Sequence, residues 1–224
     1  MCSSDLIDEV DKSSNNQLFL HFIGMLRNKY LERADGLDST FKSVILAGVY
    51  DVKNLKLRLR TDEEQKFNSP WNIAIDFNVD MNFNEREIST MLVEYEKDYR
   101  TGMDIQAISQ EIYDFTSGYP FLVSRLCKII DEKLDKDWTL KGVEEAVKLI
   151  LEENNTLFDD LIKNLENNQE LYDLIKKITL MDEYIPYSKT DPIINLSEVF
   201  GIVKEKNRQV VIHNLIFSQL IYNH

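Results

Sequence analysis

Apolar side chains recur at spacings of three and four residues through the middle of the chain, between polar boundaries. This period places the apolar side chains on one face of an α-helix. It predicts four consecutive helices, at residues 85–99, 104–116, 119–133 and 139–152. The same spacing predicts three shorter helices after them, at residues 156–165, 170–181 and 195–202.

The first third of the chain has a different pattern, in which short apolar runs flank an amphipathic helix. Leu6 and Ile7 form the apolar end of the first run, and the run at 43–50 is nearly continuous and rich in β-branched residues. Such a run is typical of a strand that is covered on both faces, as in a parallel sheet. The segment 18–30 predicts the helix between them, and 72–79 is a weaker strand candidate. The first third is therefore predicted to be α/β.

Two short alternating segments near the carboxyl terminus, 201–204 and 209–213, are separated by the turn-like residues 205–208. Helices that are followed by a small hairpin form the pattern of a winged helix. The chain is thus predicted to contain three consecutive units. These are an α/β unit at 1–80, a helical unit at 81–153 and a winged-helix-like unit at 154–224.

Charge and cysteine content restrict the function classes. The 224 residues include 26 Lys and Arg against 39 Asp and Glu, which gives a formal net charge of -13. This balance disfavours an electrostatic grip on nucleic acid or on anionic lipid. Cys2 and Cys127 have no second Cys or His at metal-ligand spacing, so neither a disulfide framework nor a zinc site is indicated.

The chain also lacks the sequence features of a membrane or exported protein. No apolar run approaches the roughly 20 residues that are needed to span a bilayer. The first residues carry neither the basic segment nor the apolar core of a secretion signal. We therefore expect a cytoplasmic protein with no membrane partner.

Adjacent carboxylates follow the first apolar run directly, as Asp8 and Glu9. In open α/β sheets, ligands bind at the carboxyl ends of the strands. In nucleotide hydrolysis, the first acid of such a pair can hold Mg²⁺ through a water molecule, and the second can polarise the attacking water. This division predicts a metal role for Asp8 and a catalytic role for Glu9. The alternative interpretation is a strand that ends in two ordinary solvated acids.

Longer segments of the chain resemble one group of ATPases. The segments IDEVDKSSNNQLFLHFIGMLRNKY, SVILAGVYDVKNLKLRLR and TSGYPFLVSRLCKIID look like bacterial AAA-like ATP-binding proteins, which are related to the P-loop ATPases of the signal-transduction (STAND) group. The resemblance covers nearly the whole chain. It implies an α/β plus mostly helical fold, with a partial P-loop NTPase parallel sheet, a helical lid and a winged-helix-like domain. It also implies a switch that binds and hydrolyses ATP with Mg²⁺.

The resemblance implies roles for particular residues. Asp8 and Glu9 match the Walker B acids, with Asp8 bound to Mg²⁺ through water and Glu9 beside the hydrolytic water. Gly118, Tyr119 and Pro120 match the glycine-x-proline motif at the start of the lid helix, whose proline lies near the adenine in related ATPases.

Two further positions follow from the same resemblance. Asp51, at the end of the second strand, occupies the sensor-1 region, where a negative charge is unusual because it repels phosphate. Arg125 matches a sensor-2-like cation that faces the phosphates. The alternative interpretation of Arg125 is an ordinary arginine on an exposed helix face.

The phosphate-binding loop of this family has no counterpart in the sequence. A P-loop ATPase holds the phosphates on a stretch G-x-x-x-x-G-K-[ST], and none of the seven glycines lies in such a stretch. In the family this loop precedes the Walker B strand. We therefore expect the sequence to be the C-terminal part of a longer ATPase, and to bind ATP poorly on its own.

The winged-helix-like unit has two interpretations. A recognition helix for DNA should carry basic residues toward phosphates, whereas 195–202 has a Glu and no basic residue. Lys204, Lys206 and Arg208 in the hairpin are the local basic cluster. We therefore favour an unknown protein partner, a second copy of this chain included, over DNA. For the chain as a whole, the alternative to a nucleotide switch is a non-enzymatic interaction or DNA-binding module.

Overall fold

A computed structural model describes residues 4–7, 16–37, 43–46 and 80–224 of the chain. In these residues 64% of the positions are helical, in nine helices, and the strands form two separate pairs. The chain divides into two compact units, Met1–Asn78 and Val79–His224.

The first unit contains a strand, a helix and a second strand. These are β1 (Ser4–Ile7), α1 (Asn16–Ala34) and β2 (Ser43–Leu46). The two strands pair in parallel, from Ser4 opposite Ser43 to Ile7 opposite Leu46, and α1 connects them, as a parallel pair requires.

The expectation of a P-loop parallel sheet is wrong for the described residues. Parallel pairing is limited there to two strands of four residues, and the described chain is mostly helical. A strand of a P-loop sheet is covered on both faces, whereas side chains of β2 alternate between exposed and half-buried, and Ile45 is 42% exposed. The remainder of the predicted strand, 47–50, and the candidate at 72–79 lie outside the described residues.

The second unit is a set of helices with one hairpin. Its elements are α2 (Glu85–Tyr99), α3 (Ile105–Thr116), α4 (Pro120–Lys133), α5 (Leu140–Glu152), α6 (Thr156–Glu166), α7 (Gln169–Leu180), α8 (Pro192–Val199), β3 (Val203–Lys206), β4 (Gln209–Ile212) and α9 (Leu215–Asn223).

The predictions for α2 to α7 are confirmed to within one residue at each end. Local capping explains the agreement, because a side-chain oxygen just before a helix accepts an N–H of its first turn. Such caps precede α2, α3, α5, α6 and α7, at Asn84, Asp104, Thr139, Asn155 and Asn168.

Among the carboxyl-terminal elements the predicted hairpin is confirmed, with its first strand two residues later than predicted, whereas the helices differ from the prediction. Helix α8 begins at Pro192, earlier than predicted, because Asp191 accepts the N–H groups of Ile193 and Ile194. β3 and β4 are joined by a two-residue turn, Asn207 and Arg208, with φ angles of 54° and 65° that suit a hairpin turn. Helix α9 is not predicted by the sequence pattern.

One hydrophobic core runs through the second unit, from Ile88 in α2 to Phe217 in α9. The predicted helical and winged-helix-like units therefore share core side chains, and their boundary at 153 stays a prediction. Segment 185–187 is attached to the hairpin, since the Tyr187 N–H donates to the Arg208 carbonyl at 2.9 Å. None of the helices in the described ranges combines the length and apolar composition that crossing a membrane requires.

Candidate functional site

The turn between α3 and α4 carries the predicted Gly118, Tyr119 and Pro120 motif. Gly118 has a φ of 74°, and a Cβ there would lie 1.7 Å from the carbonyl oxygen of Phe83. The Phe83 N–H donates to the Gly118 carbonyl at 2.8 Å, and the Gly118 N–H donates to Thr116 Oγ1 at 3.1 Å. Both backbone conformation and space therefore require glycine here, without reference to a ligand.

Tyr119 and Pro120 lie at the start of α4. Pro120 is the first residue of the helix, where the backbone N–H has no partner within the helix, so proline loses no hydrogen bond by lacking it. The Tyr119 ring packs against the carboxyl-terminal segment, with its centroid 5.5 Å from the rings of both His213 and Phe217. Burial raises the pKa of Tyr119. The adenine contact that the resemblance implies for this motif stays a prediction.

Arg125 is bound by a carboxylate of its own unit. Its Nε and Nη2 donate to the two Glu153 oxygens at 2.8 Å each, and Lys133 Nζ donates to Glu153 Oε1 at 2.6 Å. Hydrogen bonds from Lys133 and Arg125 hold the pKa of Glu153 below its usual value. A sensor-2-like role of Arg125 stays a prediction, and the pair with Glu153 uses the Nε and Nη2 groups of its guanidinium.

Asp8, Glu9 and Asp51 lie outside the described residues. β1 ends at Ile7, directly before Asp8, and β2 ends at Leu46. Because the strands are parallel, their carboxyl ends lie at the same edge of the pair. The nucleotide and Mg²⁺ roles of the three acids stay predictions.

Charged side chains of α8 and the hairpin are partly engaged or buried within the unit. Helix α8 contains Glu198 and no basic residue, and Glu198 accepts a hydrogen bond from the Tyr187 hydroxyl at 2.8 Å. Lys204 is half-buried, and burial, with the nearby Lys206, lowers its pKa. The basic cluster of the hairpin therefore presents fewer freely solvated charges than its sequence indicates.

His213 lies in an aromatic cluster that sequence reasoning missed. It is 8% exposed, and its ring packs against Tyr119 and Phe217. Burial, with a smaller contribution from Lys204, lowers the pKa of His213 to about 4, so the ring is neutral at pH 7. Among the described residues, no three His, Cys, Asp or Glu side chains lie close enough together to hold a metal ion.

An open groove of about 530 Å³ lies between α5, α7, β4 and α9. Uncharged side chains line it, with Leu151, Ile178, Val211, Leu215 and Tyr222 among them. No basic residue in that lining could hold a phosphate. The side chains of the groove therefore offer hydroxyl, amide and apolar groups, and no cation.

Comparison with protein-family models and with curated protein sequences gives no match. The resemblance to AAA-like ATPases consequently rests on the sequence segments quoted above.

Proposed function

We propose that the chain belongs to a molecular switch that binds and hydrolyses ATP with Mg²⁺. The observation that carries the proposal is the strand-helix-strand crossover of the first unit, in which two parallel strands end at one edge and Asp8 and Glu9 follow β1 in sequence. Adjacent acids after a strand of this kind suit Mg²⁺-nucleotide chemistry. Asp8 would hold Mg²⁺ through water, and Glu9 would polarise the attacking water.

Binding of ATP in the presence of Mg²⁺ tests the metal role of Asp8. Because the sequence contains no phosphate loop, we would measure binding for the 224-residue chain and for a version that continues into the upstream coding sequence. We expect weak binding in the first and Mg²⁺-dependent binding in the second. Asp8→Asn should weaken it by about tenfold to a hundredfold, as loss of an indirect metal partner does.

The matched control is Asp98→Asn, which removes an exposed acid from α2 and should leave binding unchanged. An absence of binding in both versions of the chain would contradict the proposal. Equal losses in Asp8→Asn and Asp98→Asn would contradict the role of Asp8.

A second candidate function, a non-enzymatic interaction module, is favoured by the chemistry of α8 and the hairpin. Helix α8 carries the acid Glu198, and Lys204 of the hairpin is half-buried. These elements therefore suit a protein partner better than DNA. We expect duplex DNA to keep its electrophoretic mobility at low salt when the chain is added. A shift that weakens with added salt would instead show DNA binding, and sedimentation of the chain alone tests self-association.

A further inference from the structure

The hairpin brings two lysines and a buried histidine together on one of its faces. The register of β3 and β4 pairs Lys204 with Val211. Because side chains alternate along a strand, Lys206 points to the same side as Lys204. The His213 N–H donates to the Ile202 carbonyl at 2.8 Å, which continues the pairing beyond β4 and places His213 at the base of this face. Along the face, Lys204 thus lies between a second lysine and a buried imidazole.

The surroundings of Lys204 disfavour its protonated form. Its side chain is half-buried, and it forms no ion pair with an acid of the described residues. Asp80, the acid whose charge acts on it, accepts two hydrogen bonds from Asn82, at 2.9 and 3.0 Å. Burial and the Lys206 charge lower the pKa of Lys204, and the smaller effect of Asp80 raises it. At neutral pH a larger fraction of Lys204 is therefore free amine than of an exposed lysine.

We propose that Lys204 is a nucleophilic lysine that is acylated by small acyl phosphates, with Lys206 attracting their phosphate group. The free amine is the nucleophile in such a reaction, and a lysine that is desolvated or lies next to another cation is activated for it. The phosphate group of the donor is negatively charged, which suits the exposed Lys206 on the same face. This modification site does not depend on nucleotide chemistry in the first unit.

The reaction forms one bond and breaks one. Lys204 Nζ attacks the carbonyl carbon and forms an amide bond, while the bond between that carbon and the phosphate oxygen breaks. Inorganic phosphate leaves with the electron pair of the broken bond, and it takes up, through solvent, the proton that the nitrogen loses. No oxidant or reductant takes part. The product is a neutral amide, so the half-buried position no longer carries a charge whose burial is unfavourable.

Competition between lysines of the folded chain tests the reactivity of Lys204. The whole chain is treated briefly with acetyl phosphate and unfolded, and the remaining amines are acetylated with a heavy-isotope reagent, so that peptide mass spectrometry gives a rate for each lysine. Lys148 is the matched reference, because its side chain is 66% exposed and its hydrogen bond to Glu145 raises its pKa. Lys204 should react at least about threefold faster than Lys148. This advantage should disappear when the chain is unfolded before treatment.

The pH dependence of the two rates adds a readout that accessibility does not change. The charged groups that act on Lys204 are Lys206 and Asp80, whereas His213 is neutral at pH 7. Because the pKa of Lys204 is lowered and that of Lys148 is raised, the Lys204 rate should reach its plateau at lower pH. A Lys148 that reacts faster than Lys204, or one pH profile for both, would overturn the assignment of Lys204.

Lys206→Gln tests the selection of an anionic donor. Loss of the Lys206 charge raises the pKa of Lys204 and should slow its acetylation by any donor, and the uncharged ester p-nitrophenyl acetate measures this part alone. With acetyl phosphate the loss should be at least about threefold larger, because attraction of the phosphate is lost as well. Lys206→Arg keeps the charge and should retain the wild-type ratio of the two rates. Equal losses with the two donors in Lys206→Gln would contradict the assignment to acyl phosphates.

Discussion

At Gly118, a positive φ and a close backbone neighbour act on the same residue. A φ of 74° costs a residue with a side chain about 1 to 2 kcal/mol, and a Cβ would lie 1.7 Å from the Phe83 carbonyl oxygen. Gly118→Ala should therefore lower the free energy of unfolding by more than about 2 kcal/mol, measured by denaturant titration.

Gly102 provides the matched control for Gly118. Its φ is 76°, and no atom lies within 4 Å of an added Cβ. Gly102→Ala should carry the conformational cost alone, about 1 to 2 kcal/mol. Equal losses in the two variants would show that the contact with Phe83 is not what requires glycine at 118.

His213 should make the stability of the second unit depend on pH. Burial lowers the pKa of its imidazole from 6.5 to about 4, with Lys204 lowering and Asp80 raising it, so the unfolded chain binds the proton more readily than the folded chain. This stability is present above the unfolded pKa and is lost as the pH falls toward 4. Between pH 7 and pH 5 the loss amounts to about 2 kcal/mol.

The variant His213→Phe isolates this effect, because it keeps an aromatic ring beside Tyr119 and removes the titrating group. The difference in unfolding free energy between pH 7 and pH 5 should be smaller in His213→Phe than in the wild type. The same difference in both proteins would assign the pH dependence to other groups.

At the scale of elements, Glu153 attaches the end of α5 to two cations of α4. Its side chain is 17% exposed, and its partners Arg125 and Lys133 lie within 2.8 Å of its oxygens. Glu153→Gln should lower the free energy of unfolding by about 1 to 2 kcal/mol, because a charged hydrogen-bond acceptor is lost. In Glu94→Gln, whose pair with Lys97 is exposed, the change should stay below about 0.5 kcal/mol. Equal effects would mean that the Glu153 cluster is no more than a surface pair.

The sequence encodes most helices of the second unit locally. Helices α2 to α7 are predictable because their apolar period and capping residues lie within each segment. Helix α9 escapes prediction because its sequence, LIFSQLIYN, is apolar around most of its circumference. The prediction that β2 is covered on both faces is wrong, since Ile45 is partly exposed. An apolar run in the sequence does not reveal whether neighbouring elements cover both faces of a strand.

The candidate site is only partly predictable from the sequence, because its contacts join residues that are distant in sequence. The sequence identifies the Gly118 turn, but the partner that requires glycine, the Phe83 carbonyl, is distant in sequence. The pairing of Arg125 with Glu153 and the packing of Tyr119 on His213 and Phe217 likewise join different elements. Periodicity carries no information about contacts of this range.

At the scale of the whole molecule, the two units should differ in stability. β2 belongs to a pair of four-residue strands with a partly exposed Ile45, whereas Leu126 in α4 is fully buried in the core of the second unit. Amides of β2 should therefore exchange through openings of lower free energy than amides of 126–130. Hydrogen exchange at several denaturant concentrations measures the opening free energies of both sets of amides. β2 amides that are the best protected in the chain would contradict this expectation.

The measurement that tests the nucleotide switch most directly is Mg²⁺-dependent ATP hydrolysis, in the version of the chain that binds ATP and in its Glu9→Gln variant. The proposal predicts that Glu9→Gln retains ATP binding and loses at least about a hundredfold in hydrolysis rate, because a group that polarises the attacking water acts in the reaction and not in binding. Hydrolysis at the wild-type rate in Glu9→Gln would contradict the proposal.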